Sequence, residues 1–269
     1  MARPGWKIAV YRAALRRHSQ LQEVTSALLV GLFLGLLDAD DRVRIDEEYY
    51  DNATGNVDGV SGRYDDETMV DRGLADWERA AVEEHFRAGD SVIVLGAGAG
   101  REVLALLEAG FDARGYDPHP RLVERGSQLL AERGHPNRLD VSERSSLPAD
   151  SGEADAVVLG WGMYTLIAGR SARVALLRQM AERLRPGSPV LLSFFPAPPR
   201  ARQLRIAHAL ARALSRLRGA RPPELGDWLM PNFVHLFTED DIRAEAGEAG
   251  FDLRGWWSEP YGHAIATRR

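Results

Sequence analysis

The sequence predicts an α/β protein with a doubly wound, mostly parallel sheet, an antiparallel C-terminal strand and an N-terminal helical cap. From residue 91 onward, short apolar runs alternate with amphipathic stretches, which is typical of βαβ units. The first apolar run leads into a glycine-rich turn, GAGAG, at residues 96–100. Near the end of the chain, two apolar runs flank Ser258, Glu259 and Pro260. This arrangement predicts a terminal hairpin whose last strand is antiparallel and lies at or near the sheet edge.

Composition places the chain among ordinary soluble globular proteins and narrows its chemistry. Its 269 residues, 45% hydrophobic and 27% charged, suit one sizeable α/β domain with an added cap. The net charge of −5 argues against a nucleic-acid partner. Cysteine is absent, which excludes thiol nucleophiles and thiolate metal sites. Lys7 is the only lysine, so a P-loop and a Schiff-base lysine are also excluded.

The N-terminal unit, residues 1–88, is predicted to be helical apart from one acidic loop. Apolar spacing over 5–37 predicts two helices, and a further helix is expected over 71–87. Between them, the acidic segment 38–67 is rich in glycine and asparagine and is predicted to be a covering loop.

Neither a membrane span nor a secretory signal is predicted. The most apolar run, residues 27–37, has 11 residues, whereas about 20 are needed to cross a bilayer. The run starts too late for a signal peptide, and no small-residue cleavage site follows it. We therefore expect a cytoplasmic protein with no membrane partner, and its oligomeric state stays open.

The second unit, residues 89–269, follows the βαβ order with a helical and loop insertion at 199–237. Its predicted elements are a strand over 91–95, a helix over 101–109, a strand over 112–117, a helix over 119–133, a strand over 155–160, a helix over 171–184, a strand over 188–195 and a helix over 199–218. After the insertion, Thr238 and Asp241 form a capping-box pattern that opens a short helix ending at Gly250.

The spacing of the glycine turn separates two classes of ligand. Dinucleotide-binding turns read G-x-G-x-x-G, and counting from Gly96 the third glycine would fall at Arg101. Here the glycines are Gly96, Gly98 and Gly100, a G-x-G-x-G spacing. The spacing therefore disfavours an NAD(P)-dependent reductase. A tight strand-to-helix turn that holds no ligand is the other reading.

Residues 91–195 and the C-terminus resemble a class I S-adenosylmethionine-dependent methyltransferase, which has a Rossmann-like fold. The motifs that carry the resemblance are VIVLGAGAGREVL, GYDPHP, SSLPADSGEADAVVLGWGMYTLI, LLRQMAERLRPGSPVLLSF and FTEDDI…AGF…YGHAIATR. The resemblance implies S-adenosylmethionine as cofactor and methyl transfer to an oxygen or nitrogen of a small-molecule acceptor. A protein that binds S-adenosylmethionine without transferring its methyl group is the alternative.

The resemblance also implies a set of cofactor-binding residues. Glycines let the backbone approach the ligand, an acid accepts from the ribose hydroxyls, a polar group meets the adenine, and one loop lies beside the sulfonium. The implied positions are Gly96, Ala97, Gly98 and Gly100 in the turn, Asp117 and Pro118 at the ribose, Glu143 at the adenine with Ser142 and Asp140 as rivals, Gly160 and Trp161 beside the sulfonium, and Tyr64, with Arg63 or Arg72, at the methionine carboxylate. For Asp117, a helix N-cap is the other reading.

One position departs from the family pattern. An acid commonly stands two residues before the first glycine, and here that residue is Val94. The cofactor's amino group therefore lacks its usual acceptor, and backbone carbonyls such as that of Gly160 are the expected substitute.

His235 and Tyr164 are the candidate catalytic residues. His235 precedes the C-terminal helix and is the best-placed histidine for a general base, whereas His263 lies on the predicted last strand. Tyr164 belongs to the loop after the fourth strand, with Trp161 and Met163, where an aromatic face can stabilise a sulfonium. For each of these residues a structural role is the alternative. No metal site is expected, because histidines and carboxylates lack ligand spacing of the H-x-x-x-H kind.

Overall fold

The computed structural model describes residues 6–53, 66–198 and 202–269. Its strands are β1 (Ser91–Leu95), β2 (Asp112–Asp117), β3 (Leu139–Val141), β4 (Ala156–Leu159), β5 (Pro189–Ser193), β6 (Phe195–Pro196), β7 (Asp227–Met230), β8 (Asn232–Phe237), β9 (Phe251–Trp257) and β10 (His263–Arg268). Its helices are α1 (Trp6–Leu36), α2 (Ala39–Ala53), α3 (Glu67–Val70), α4 (Asp76–His85), α5 (Arg101–Glu108), α6 (Pro120–Glu132), α7 (Arg170–Arg183), α8 (Arg202–Leu217) and α9 (Glu239–Glu248). A 3₁₀ turn, Met163–Leu166, follows β4.

Seven strands form one sheet in the order β3-β2-β1-β4-β5-β10-β9. Strands β1 to β5 are parallel to one another, and β10 is antiparallel to both β5 and β9. The predicted fold class is confirmed, and the last strand lies one position in from the edge. The strand order reverses between β1 and β4, and open α/β sheets bind ligands outside the carboxyl ends of the strands at such a point.

Helices cover both faces of this sheet, which is why its central strands are almost entirely apolar. In β1, Ile93 and Leu95 pack with α7 and α9, whereas Val92 and Val94 pack with α4, α5 and α6. The last residue of β1 pairs with Leu159, the last residue of β4. Because the two strands end side by side, the glycine turn and the loop after β4 meet at one edge of the sheet.

The N-terminal segment forms one long helix, so the prediction of two helices was wrong. Helix α1 contains no proline, and its glycines lie where another helix comes close. A Cβ on Gly31 would lie 2.6 Å from the carbonyl oxygen of Ala207 in α8, and one on Gly35 would lie 2.8 Å from the Cβ of Leu214. Both glycines therefore let the two helices cross at short range.

The acidic segment is helical in its first half, against the prediction of a loop. Asp38 and Asp41 cap the start of α2, because each accepts a hydrogen bond from the backbone N–H of the other, at 3.0 and 3.2 Å. Acidic side chains in the first turn also interact favourably with the helix dipole. The second half of the segment, residues 54–65, lies outside the described residues.

The helix predicted over 71–87 is shorter than expected. Helix α4 begins at Asp76 because the Glu78 side chain accepts from the backbone N–H of Ala75, and it ends at His85. The short helix α3 precedes it.

The 199–237 insertion contains strands as well as the predicted helix. Strands β7 and β8 form an antiparallel hairpin with Asp227 opposite His235, and β6 joins β8 in parallel to complete a three-stranded sheet. Helices α1 and α8 pack on this sheet through Ala27, Ala207 and Val234. The run NFVHLF lacks the alternation of polar and apolar residues that identifies a half-buried strand, so β8 was missed.

Helix α1 also bears on the membrane prediction. Its segment Arg17–Leu36 is long and apolar enough to cross a bilayer by length and composition alone, and 24% of that segment is buried. The helix is longer than the apolar run seen in the sequence, because polar residues precede that run within the same helix. The cytoplasmic location and the lack of a membrane partner stay predictions.

Candidate functional site

A cavity of about 310 Å³ opens at the carboxyl ends of the central strands. It is lined by the glycine turn after β1, the end of β2, the loops after β3 and β4, and one side of α2. The cavity thus lies at the point where the strand order reverses.

Two glycines of the turn face this cavity and depend on having no side chain. Gly96 and Gly98 have φ angles of 67° and 53°, in the left-handed region that favours glycine. A Cβ on Gly98 would meet no atom within 4 Å, so it would project into open space in the cavity. The backbone of the turn is therefore exposed to a ligand, and Ala97 lines the cavity beside it.

The other two predicted glycines lie behind the cavity wall, which corrects their expected contact with the cofactor. A Cβ on Gly100 would lie 2.9 Å from Leu130, so this glycine lets α5 pack on α6. A Cβ on Gly160 would overlap the carbonyl oxygen of Gly96, and the Gly160 carbonyl accepts from the Ser193 hydroxyl at 2.7 Å. Both residues shape the backbone around the site without lining it. The Gly160 carbonyl already accepts a hydrogen bond from Ser193, so it is not the substitute acceptor expected for the cofactor's amino group.

Asp117 ends β2 with its carboxylate in the cavity wall and is 5% exposed. Its Oδ2 accepts from the backbone N–H of Gly98 at 2.8 Å, and its Oδ1 accepts from the backbone N–H of His119 at 2.9 Å. The His119 ring Nδ1 lies 3.0 Å from Oδ1. A carboxylate has about four lone-pair sites, so these contacts leave less capacity for ribose hydroxyls than the sequence suggested. Pro118 lies beside it in the lining.

The loop after β3 and helix α2 meet across the cavity through polar contacts. Arg144 pairs with Asp46 of α2, and its Nη2 lies 3.1 Å from the ring Nε2 of His119. Asp46 also accepts from the side-chain amide of Asn232 at 3.0 Å. Helix α2 is therefore bound to both sides of the cavity that it covers.

Of the candidates for adenine recognition, two line the cavity and one does not. Glu143 and Ser142 are part of the lining. Asp140 instead accepts from the Arg114 side chain at 2.8 Å outside the cavity. The role of Glu143 stays a prediction.

A buried group of two acids and one arginine lies beside the loop after β4. The Arg101 guanidinium donates to both carboxylate oxygens of Glu78 at 2.7 Å and to Oε1 of Glu102 at 2.6 Å. The Trp161 backbone N–H donates to the same Glu102 oxygen at 3.2 Å, and the Trp161 ring lies 5.3 Å from the guanidinium carbon. Burial raises the pKa of Glu102 by more than Arg101 lowers it. Arg101, Glu102 and Trp161 line the cavity.

Comparison with a family model identifies the central part of the chain. Residues 92–187 match the model of a methyltransferase domain. Over these residues the chain is similar to methyltransferase domains. The resemblance to a methyltransferase that was drawn from the sequence is confirmed at the level of this domain family. The same holds for the enzyme class and for S-adenosylmethionine as its cofactor. No curated protein gives a significant sequence match to the chain.

Solved methyltransferases share the fold of this domain at low sequence identity. A SAM-dependent methyltransferase from Methanosarcina mazei has a TM-score of 0.58 at 17% identity, over 73% of this chain and 98% of that chain. An amino pentose methyltransferase from Micromonospora echinaspora, solved with bound SAM, has a TM-score of 0.52 at 14% identity, over 74% and 93%. A magnesium protoporphyrin IX methyltransferase from Synechocystis PCC 6803, solved with bound SAH, has a TM-score of 0.51 at 19% identity, over 84% and 95%.

Tyr164 does not reach the cavity of the methyltransferase domain, so its predicted catalytic role is corrected to a structural one. Its side chain is fully buried, its ring stacks on Phe237, and its hydroxyl donates to Glu245 at 2.6 Å. Burial and the neighbouring Glu245 raise the pKa of Tyr164 well above its ordinary value, so the phenol stays protonated. In the 3₁₀ turn, Met163 and Leu166 line the cavity instead.

His235 also lies outside the cavity, which corrects its prediction as a general base. It is 2% exposed, and its ring Nδ1 lies 2.7 Å from Asp227. Phe233 lies on the same face of β8 as His235 and does line the cavity. His235 is two residues further along the strand, which places it about 7 Å away from Phe233. One ligand atom from each of Glu224, Asp227 and His235 lies within 4.8 Å of the others, a spacing that metal sites also have. These groups are instead hydrogen-bonded within the protein, Glu224 to Arg173 and Asp227 to His235.

The expected ligands of the methionine carboxylate are not brought to the site by the described structure. Tyr64 and Arg63 lie outside the described residues, and Arg72 is exposed and does not line the cavity. The structure instead places Arg42 of α2 in the lining. Neither Arg42 nor Glu102 was singled out from the sequence, because one lay in a presumed loop and the other resembles an ordinary first-turn acid.

Proposed function

We propose that this protein transfers a methyl group from S-adenosylmethionine to an oxygen or nitrogen of a small-molecule acceptor. The observation that carries the proposal is the turn of Gly96 and Gly98, with open space at the position of a Gly98 Cβ, held beside the carboxylate of Asp117 in one cavity. The residues fit the cofactor, since a cradle that a Cβ would fill lies next to an acid suited to sugar hydroxyls.

S-adenosylmethionine supplies, when bound, a methyl group on a positively charged sulfur. Gly96, Ala97 and Gly98 would contact its chain, Asp117 its ribose, and Glu143 or Ser142 its adenine. Trp161 and Met163 stand in the loop after β4, where they exclude water and orient the acceptor. The domain's contribution is alignment in a water-poor pocket rather than covalent chemistry.

The opposite wall of the cavity suits a small, partly apolar acceptor. It is formed by Val43, Leu166, Ile167 and Phe233. Arg42 places a positive charge there: its guanidinium carbon lies 5.1 Å from the centre of the Phe233 ring, and its buried Nε has no hydrogen-bond partner among the described residues. An acceptor with an anionic or carbonyl group would satisfy this arginine.

The base predicted from the sequence is not at the cavity, and this favours acceptors that need none. His119 and the acid Asp46 in the lining are engaged with Arg144. A neutral amine or an ionised oxygen can be methylated by alignment alone, whereas a neutral alcohol must first lose a proton. The amino pentose methyltransferase that shares the fold acts on a nitrogen-bearing sugar, which supports an acceptor of this kind.

Calorimetry and product detection test the proposal. We expect the purified protein to bind S-adenosylhomocysteine and S-adenosylmethionine but not NADH. S-adenosylhomocysteine release should then be measured with a panel of small amines, phenols and carboxylic acids. Binding of NADH alone would favour the reductase. Binding of S-adenosylmethionine without release on any acceptor would favour a binding protein that lacks transferase activity.

A further inference from the structure

Glu102 has one carboxylate oxygen to which no other residue of the described structure donates. The residue is the second of α5 and is 3% exposed, yet it lines the cavity. Its Oε1 accepts from Arg101 and from the Trp161 backbone N–H. Among the described residues, no hydrogen bond from another residue reaches its Oε2. Because Glu102 lines the cavity, Oε2 is the oxygen that a ligand there would meet.

The charges around Glu102 do not balance. Arg101 carries one positive charge between the carboxylates of Glu78 and Glu102, and it binds Glu78 through two hydrogen bonds. Glu78 is 2% exposed and lies behind the arginine, where it also accepts from the Ala75 backbone. Among the described residues, one negative charge is therefore left over in this buried group, which borders the cavity. Burying an unpaired charge is costly, and a cationic ligand would offset that cost.

We infer that Glu102 binds the ammonium group of the methionine part of S-adenosylmethionine, and thereby takes the place of the acid missing at Val94. The inference rests on the proposed function. Glu102 contacts the loop after β4 and follows the glycine turn by two residues, so it lines the part of the cavity between them. Val94 is itself fully buried among apolar residues and does not line the cavity.

A metal ion or a cationic acceptor would also be attracted to this oxygen, but the geometry favours the ammonium group. One free carboxylate oxygen is a poor site for a metal, which needs several ligands. An ammonium group has three donors, which match one carboxylate oxygen together with nearby backbone carbonyls.

A binding cycle with two ligands and two proteins tests this assignment. The ligands are S-adenosylhomocysteine and its analogue in which hydrogen replaces the amino group. We expect the wild-type protein to prefer S-adenosylhomocysteine by about ten-fold or more, because a hydrogen bond between charged groups is lost in the analogue. Glu102→Gln should abolish most of that preference by weakening only S-adenosylhomocysteine, with the analogue bound as tightly as by wild type.

The matched control is Glu108→Gln, which makes the same change at an exposed position of the same helix. It should keep the wild-type preference. If a folded Glu102→Gln variant keeps the wild-type preference for S-adenosylhomocysteine over the analogue, the inference is overturned. Equal binding of both ligands by the wild-type protein would also overturn it, and that measurement needs no variant. A wild-type protein that binds neither ligand would instead remove the proposed function, and the assignment of Glu102 with it.

Discussion

Gly98 donates its backbone N–H to the carboxylate of Asp117 at 2.8 Å, which joins the turn after β1 to the end of β2. The turn is also held by the N–H groups of Gly96 and Ala97, which donate to the carbonyl oxygen of Tyr116. Asp117 therefore has two effects in the proposed function: it faces the ribose, and it fixes the backbone against which the rest of the cofactor lies.

Replacing Asp117 should affect cofactor affinity by both routes. We expect Asp117→Ala to weaken S-adenosylhomocysteine binding by about ten-fold or more, since it removes a charged acceptor and frees the turn. Titration calorimetry measures the effect. Asp150→Ala, at an exposed acid in a turn, is the control and should bind normally. Equal affinities in the two variants would discard the ribose role of Asp117.

A methyl group on Gly98 should block the cavity at little cost to folding. We expect Gly98→Ala to lose most S-adenosylhomocysteine affinity because its Cβ enters the space that the ligand needs. The left-handed backbone would cost about 1 kcal/mol of stability. Gly187→Ala carries the same backbone strain, with φ of 87° and open space around it, at a turn outside the cavity lining.

In that comparison, denaturant unfolding should show similar losses of stability for both glycine variants, while only Gly98→Ala loses the ligand. If Gly98→Ala binds S-adenosylhomocysteine as tightly as wild type does, the turn is not the cofactor's cradle.

Tyr164→Phe should reduce stability and leave cofactor binding intact. The change removes a buried hydrogen bond to Glu245 and leaves that carboxylate with Arg173 as its partner. We expect a loss of about 1 to 2 kcal/mol in the free energy of unfolding, measured by denaturant titration. Normal stability combined with a large loss of turnover would restore the catalytic role that the sequence suggested.

The affinity for S-adenosylhomocysteine should depend on pH through Glu102. Its pKa is raised by burial above the ordinary value of 4.5, and the ammonium group requires the ionised form. Affinity should therefore fall as the pH is lowered through the raised pKa. The analogue without the amino group should show no such fall. Calorimetry of wild type and Glu102→Gln at several pH values checks this, and parallel profiles for the two ligands would contradict it.

The raised pKa of Glu102 affects the stability of the fold in the opposite direction to ligand affinity: stability falls as the pH rises. A carboxyl group whose pKa is raised in the folded protein contributes stability below its ordinary value, and that contribution is lost as the pH rises through the raised pKa. Without ligand, the difference in unfolding midpoint between Glu102→Gln and wild type should therefore be small at low pH and should grow in favour of the variant as the pH rises through the raised pKa.

Local patterns in the sequence determined the central part of the fold. The predicted bounds of β1 and β2 coincide with those observed, and α5, α6 and α7 differ by a residue at each end at most. Apolar runs, glycine turns and capping residues act on neighbours along the chain, so they are legible without a structure. The glycine spacing likewise disfavoured a dinucleotide, and Thr238 with Asp241 marked the start of α9.

Only the tertiary structure decided which side chains meet in the cavity. Tyr164 and His235 belong to segments that approach the site, but packing against Glu245 and Asp227 turns both away from it. Glu102 is a candidate ligand of the ammonium group because Glu78, from a separate helix, accepts two hydrogen bonds from Arg101. Without Glu78, the charge of Arg101 would neutralise Glu102. Such contacts join residues far apart in the chain, and the direction of a side chain depends on partners that no local pattern contains.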